Sequence, residues 1–206
     1  MPRTATAWIA IVTALFWVVA AVVGGNYAAS FILGFIPARF SGVAVNFPAA
    51  PAFLTPITAT LVHAGILHLA LNLLILVWCG TQVERVLGGK ALVFLYVVSA
   101  YTAAVLQWAV APHSDVPMVG ASGAISGIIG AFALSFGQQK RIVTSPSLNR
   151  TLNALWLMAS WVVLQLMTGF LAGTQGVLVA TPAHVGGFLS GLLLQRPLLM
   201  WRYRKA

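Results

Sequence analysis

The 206 residues are 60% hydrophobic and only 6% charged, with a mean hydropathy of +0.96, against about 25% charged residues in ordinary soluble domains. This excludes a soluble domain beside the apolar segments, because six spans of about 20 residues each would leave only loops. The net charge of +9 reflects eleven Lys and Arg against two acids, Glu84 and Asp115, and the bases sit in short segments between apolar runs, which excludes the clustered basic surface of a nucleic-acid-binding protein.

In chain order, an apolar run over residues 7–23 follows Arg3 and predicts the first span. It is longer than the roughly 7–15-residue core of a signal peptide. Residues 25–56 hold Pro37, Pro48, Pro51 and Pro56 but also Phe31-Ile32-Leu33 and Phe35-Ile36. Prolines break a long helix, while those apolar triplets and pairs do not suit a solvated loop. The expectation is a long interfacial connection with short helical pieces whose apolar faces dip into the membrane.

A second span is predicted over residues 57–78, followed by a charged loop with Glu84, Arg85 and Lys90. The third covers residues 91–110, and Pro112, His113, Asp115 and Pro117 form a polar turn. The fourth starts near Met118 and ends before Lys140. A basic loop over 138–150 leads to a fifth span at 152–171. A glycine-containing connection, 172–181, precedes a sixth at 182–200, and a basic tail closes the chain. Trp78, Trp108 and Trp201 fall at span ends, where indole rings favour the interface; Trp17 and Trp161 lie deeper and read as packing. Cys79 is the one cysteine, which excludes an intrachain disulfide, and its apolar surroundings predict a buried, inert thiol.

Six spans place both termini on one side. Ten of the eleven Lys and Arg then share that side, and Arg39 alone faces the other. By the positive-inside rule both termini are cytoplasmic. The expected architecture is therefore a single all-α, six-helix membrane domain over residues 1–206, in a plasma membrane of bacterial type.

That topology fixes directions. Spans two, four and six all enter from the outer side. Ser122 lies a few residues into span four and His184 a few into span six. At 1.5 Å rise per residue both lie within roughly 5–8 Å of their span starts, and so at one depth. Span two adds His68 and Asn72, four apart and on one helix face. His63, about 140° away around the same helix, is expected to make structural hydrogen bonds. Each residue has a plain structural explanation. Gly123 and Gly127, like Gly187 and Gly191, form the small-xxx-small pattern of close helix packing, and Ser122 sits among them. A bundle histidine or asparagine often just satisfies a neighbour, since an unpaired polar group in a membrane costs several kcal/mol. Convergence of four such groups near one depth favours chemistry, and close packing would bring hydroxyl and imidazole within about 3 Å. Neither acid is placed beside the histidine, so a Ser-His-Asp triad is excluded and a dyad is expected.

Gly120-Ala121-Ser122-Gly123 resembles the GxSG motif of the rhomboid family of intramembrane serine proteases. His68-Leu69-Ala70-Leu71-Asn72, with His63 before it, resembles that family's HxxxN segment, and Ala183-His184-Val185-Gly186-Gly187 its AHxxG segment. Gly80, Glu84 and Gly88 echo its glycine–glutamate–glycine spacing. The resemblance covers essentially everything from Thr55 onward. It implies a rhomboid-type bundle and hydrolysis of peptide bonds in or beside transmembrane segments of protein substrates. In that reading Ser122 is the nucleophile and His184 the base, and His68, Asn72 and the Ser122 N–H stabilise the oxyanion. No cofactor or metal is called for. The wet site, lined by Ser122, Ser126, His68, Asn72 and His184, opens to the extracytoplasmic side, and substrate enters from the lipid past span five and the loop after it, 152–181. Two departures stand out. Many members carry Trp-Arg where this chain reads Phe53-Leu54-Thr55, and some place an aromatic ring one turn after the serine, where this chain has Ser126.

Three alternatives remain at this level. A catalytically silent rhomboid-like protein would bind transmembrane clients. A small transporter would line its path with His68, Asn72 and His184. A metal site on the two histidines lacks a carboxylate or cysteine to complete it. The sequence does not specify the substrate or the oligomeric state.

Overall fold

The computed structural model describes residues 4–136, 143–171 and 180–204. Among these the regular structure is helical. The N-terminal helix α1 (Ala5–Val23) leads to two short helices, α2 (Asn26–Leu33) and α3 (Pro37–Phe40). A string of single turns follows, α4 (Thr55–Thr58) between 3-10 turns at Ala52–Leu54 and Ala59–Leu61. Helix α5 (Ile66–Ile75) continues through a π-helical turn, Leu76–Gly80, into α6 (Thr81–Leu87). The remaining helices are α7 (Gly89–Val110), α8 (Ser122–Phe136), α9 (Pro146–Leu171) and α10 (Thr181–Tyr203).

Among the described residues, three continuous helical stretches are long and apolar enough to cross a membrane: Ala5–Val23, Ile66–Leu87 and Gly89–Val110. The described part of helix α8 is apolar and covers 15 residues, about 22 Å at 1.5 Å per residue. The distribution of side chains is the reverse of a water-soluble protein. Large apolar residues such as Leu15, Val22, Trp156 and Leu193 are exposed, while Thr6, Thr13, Asn72, Ser99, Ser126 and Ser190 are buried. A wall facing hydrocarbon gains nothing by hiding leucine, and polar groups must find partners inside.

The centre is a three-helix core in which α10 packs along both α8 and α7. Close approach is set by glycine. A Cβ on Gly187 would run into the carbonyl of Gly123, one on Gly191 into that of Gly127, and one on Gly127 into the Ser99 side chain. Around these contacts Leu92, Leu95, Ile125, Ile128 and Phe188 are fully buried. Ser99 and Ser190 hydroxyls meet at 2.7 Å, and Ser190 donates onward to the Gly187 carbonyl.

Several sequence expectations are corrected. The second span begins at Ile66, nine residues later than expected, because the chain breaks at residues 62–65, where Gly65 is extended at φ −174°. It ends at Leu87, so Glu84 and Arg85 are the last turns of a helix, not a loop. Trp78 accordingly lies mid-span, exposed and beside Phe132. Helix α8 starts at Ser122 itself, not at Met118. Helices α9 and α10 both start earlier than expected, at Pro146 and Thr181. Residues 137–142, which take in the expected end of the fourth span and the start of the basic loop, and residues 172–179 of the later connection lie outside the described residues.

The long connection does contain short helices, and it acts as a scaffold. Phe35 exchanges both backbone hydrogen bonds with Met118, at 3.0 and 2.8 Å, and the Ala38 N–H donates to the Ser114 carbonyl. Thr58 Oγ1 donates to the Leu33 carbonyl and Arg39 to that of Ala50. The segment leading into Ser122 is thereby pinned to the chain before span two.

Candidate active site

Helix α8 begins where an extended segment ends, and glycine makes the corner. Gly120 has φ +112°, a region that costs other L-residues roughly 1–2 kcal/mol. Its N–H donates to the Ala59 carbonyl at 2.9 Å, and a Cβ there would collide with the His68 imidazole. The next N–H, of Ala121, donates to His63 Nε2 at 3.3 Å. Ser122 then opens the helix, where a backbone N–H has no intrahelical acceptor.

His184 is the fourth residue of α10, after Thr181 and Pro182 at the helix start, where proline is well tolerated. The glycine contacts between α8 and α10 draw the two helix starts together. Ser122 Oγ and His184 Nε2 are 2.8 Å apart, and both residues are buried. With Oγ–H donating to Nε2, the ring proton sits on Nδ1, and Nδ1 has no hydrogen-bond partner among the described residues. Neither acid is engaged with it. Glu84 accepts from the Ala5 and Thr6 N–H groups and the Thr6 hydroxyl at the start of α1, and Asp115 is exposed.

The pair opens onto a cavity of about 780 Å³ whose walls include Tyr27, His68, Met118, Gly120, Ser122 and His184. His68, third residue of α5, is thus level with the serine. With the second span starting at Ile66, His68 lies near the start of its helix, as Ser122 and His184 do. Asn72 is fully buried but does not line the cavity, and its amide donates to the His68 carbonyl one turn back at 2.8 Å. Ser126 is not a cavity residue either. Its hydroxyl is turned onto the Ser122 carbonyl at 2.7 Å, as a helical serine can do.

Two residues matter more than the sequence indicated. His63 lies in the break before α5, so the helical angle that separated it from His68 does not apply. The two rings are 5.0 Å apart, and the Trp17 indole donates to the His63 carbonyl. Burial, and then His68 beside it, lower the His63 pKa from 6.5 to about 3, which keeps it an acceptor for Ala121. Trp161 is the second. It is 4% exposed, its Nε1–H donates to Ser126 Oγ at 2.8 Å, and its ring lies edge-on to the His184 imidazole, centroids 6.3 Å apart. The signal that could have found it is the small Ser126, which leaves room beside the imidazole. Among the described residues no three His, Cys, Asp or Glu side chains converge as a metal site requires.

The sequence model of the Rhomboid domain matches residues 51–201. The chain belongs to the rhomboid family. RHOMBOID-like protein 5 of Arabidopsis thaliana is 31% identical over 139 residues, 67% of this chain and 41% of that protein. Rhomboid protease GluP of Bacillus subtilis (strain 168) is 30% identical over 139 residues, 67% of this chain and 24% of GluP. Rhomboid-like protease 3 of Toxoplasma gondii is 28% identical over 192 residues, 91% of this chain and 66% of the relative. The chain therefore spans less than half the length of the first two. Rhomboid membership and the apolar helices together make it a multi-pass membrane protein, in a family that includes proteases. At the position of the departure, the Tyr101 hydroxyl donates to the Phe53 carbonyl at 3.0 Å.

Proposed function

We propose that this chain is an intramembrane serine endopeptidase working through a Ser122–His184 dyad. The observation that carries the reading is the 2.8 Å contact between Ser122 Oγ and His184 Nε2 at the edge of a cavity of about 780 Å³. Ser122 Oγ attacks the scissile carbonyl while His184 Nε2 takes its proton. The imidazolium then protonates the leaving amine, and water hydrolyses the acyl-enzyme by the same steps reversed. The oxyanion forms beside the N-terminus of α8, where the Ser122 N–H and the partial positive charge of the helix start favour it. His68 is the second donor, from across the cavity. Asn72, away from the cavity and bonded to the His68 carbonyl, supports the turn that carries His68. Removing one such donor typically lowers the rate about 10²–10³-fold.

The substrates are transmembrane segments that unwind locally, because a peptide bond locked in a helix cannot reach Ser122 and exposed backbone in lipid is costly. Six spans with both termini cytoplasmic, the charge asymmetry of ten to one, and a site open to the extracytoplasmic side complete the proposal. Substrate entry past α9 and the connection after it belongs to this proposal, and residues 172–179 of that route lie outside the described ones. Purified chain in proteoliposomes should cleave a model transmembrane substrate and take up a fluorophosphonate at Ser122. Ser122→Ala and His184→Ala should each abolish cleavage while leaving the thermal unfolding curve in place. Wild-type turnover in either variant would overturn the dyad, and absence of both cleavage and labelling in the wild type would favour a silent client-binding protein.

A further inference from the structure

A serine–histidine pair without a carboxylate still needs something to hold the imidazole. In a triad the aspartate fixes ring orientation by accepting from Nδ1. Here Nδ1 of His184 meets no acceptor among the described residues, and the larger neighbour of the ring is the Trp161 indole, edge-on at 6.3 Å and 64°.

The indole is itself fixed. An indole N–H only donates, so Ser126 Oγ accepts from it at 2.8 Å and spends its own proton on the Ser122 carbonyl at 2.7 Å. Ser122 Oγ in turn meets His184 Nε2. The four residues close a circuit through three helices: α9 carries Trp161, α8 carries Ser126 and Ser122, and α10 carries His184. Ser126 suits this circuit by size as well as by chemistry. A bulky side chain there would occupy the space the indole fills, and an apolar one would leave the buried N–H of Trp161 unpartnered, a costly state.

We propose that Trp161 is the positioning residue for His184, doing by ring contact and one hydrogen-bonded anchor what a carboxylate does in a triad. It touches no reacting atom. It limits the orientations open to the imidazole, so its removal lowers kcat and leaves KM nearly unchanged. This rests on the dyad reading for its effect on turnover, but the contact itself can be tested without turnover.

The experiment compares wild type, Trp161→Ala, Trp161→Phe, and the double variant Trp161→Ala with Ser126→Phe, which moves an aromatic ring onto α8. The first readout is independent of activity: carbethoxylation of individual histidines by diethyl pyrocarbonate, followed by mass spectrometry. His184 should react several times faster in Trp161→Ala and at an intermediate rate in Trp161→Phe, which keeps a ring but loses the bond to Ser126, and His63 should be unchanged in all. The second readout is kcat together with the rate of fluorophosphonate labelling at Ser122. Both should fall about tenfold in Trp161→Ala, the upper range for an aromatic contact, and recover at least partly in Trp161→Phe and in the double variant. Carbethoxylation and labelling of Trp161→Ala that match the wild type would overturn the proposal. So would accelerated carbethoxylation of His184 and His63 together, which marks loosened packing. A wild type that neither cleaves nor labels refutes the dyad reading, while the carbethoxylation arm still decides whether Trp161 holds the ring.

Discussion

Gly187 of α10 lies directly on the Gly123 carbonyl of α8, one helical turn below the point where Ser122 and His184 meet. The closeness of the two helices and the closeness of the two reactive groups are therefore one geometric fact. Gly187→Ala adds a methyl that must push α10 away, at a cost of about 1–3 kcal/mol for an overpacked interface. The thermal midpoint in detergent should fall, and fluorophosphonate labelling at Ser122 should fall with it even at temperatures where the variant is folded. Leu193→Ala, on an exposed position of the same helix, should change neither.

Gly120 is constrained twice, by its φ of +112° and by the His68 ring against it. Gly120→Ala should cost roughly 1–2 kcal/mol in stability and displace His68 from the cavity wall. If His68 donates to the oxyanion, cleavage should drop on the order of 10²-fold. Adding His68→Ala to Gly120→Ala should then cost little more, because two changes that remove one interaction do not add. Fully additive losses in kinetic assays would show that Gly120 acts on something other than His68.

Glu84 accounts for the glycine–glutamate–glycine spacing. Its carboxylate takes the first N–H groups of α1 at 2.7 and 2.9 Å and the Thr6 hydroxyl at 2.6 Å. Gly80 leaves room for the Thr6 side chain, and Gly88, at φ +87°, ends α6 so that α7 can start at once. Charge-assisted bonds to unpaired helix N–H groups are strong. Glu84→Ala should lower stability by roughly 1–3 kcal/mol, read as a drop in thermal midpoint, and Glu84→Gln by less. Labelling at Ser122 well below the midpoint should persist, since α1 contributes no side chain to the dyad.

Ser122, His184 and His68 were legible because the physics that places them is written locally: small residues for close approach, and helix starts that put both partners at one end. Three things were not. The break at residues 62–65 interrupts an apolar stretch with no proline inside it, and its one breaker letter, Gly65, is tolerated inside many helices, so it does not by itself separate the turns of Ala59–Leu61 from the helix that begins at Ile66. Asn72 shares a face with His68 as expected, but only coordinates show its amide spent on the carbonyl one turn back. The contact between Trp161 and His184 joins two separate helices, and hydrophobic periodicity within α9 does not say which neighbour an indole meets.

His63 supplies a pH dependence whose sign follows from its surroundings. It lies in the break ahead of the second span and is fully buried, and burial first, then His68, lower its pKa from 6.5 to about 3. Above about pH 6.5 the ring is neutral whether the chain is folded or not, and its full contribution to stability is present. As pH falls below 6.5 the unfolded chain takes up a proton that the folded chain refuses, and stability is lost until the folded ring itself titrates near 3. By pH 5 this one group should cost about 2 kcal/mol. His63→Gln keeps an acceptor for the Ala121 N–H but cannot be protonated. Its thermal midpoint should therefore fall less than that of the wild type between pH 7 and pH 5. Identical slopes would mean that His63 is already open to water. His63→Leu removes the acceptor altogether, leaves the Ala121 N–H buried without a partner at a cost of about 1–3 kcal/mol, and should lower both stability and labelling of Ser122 at every pH.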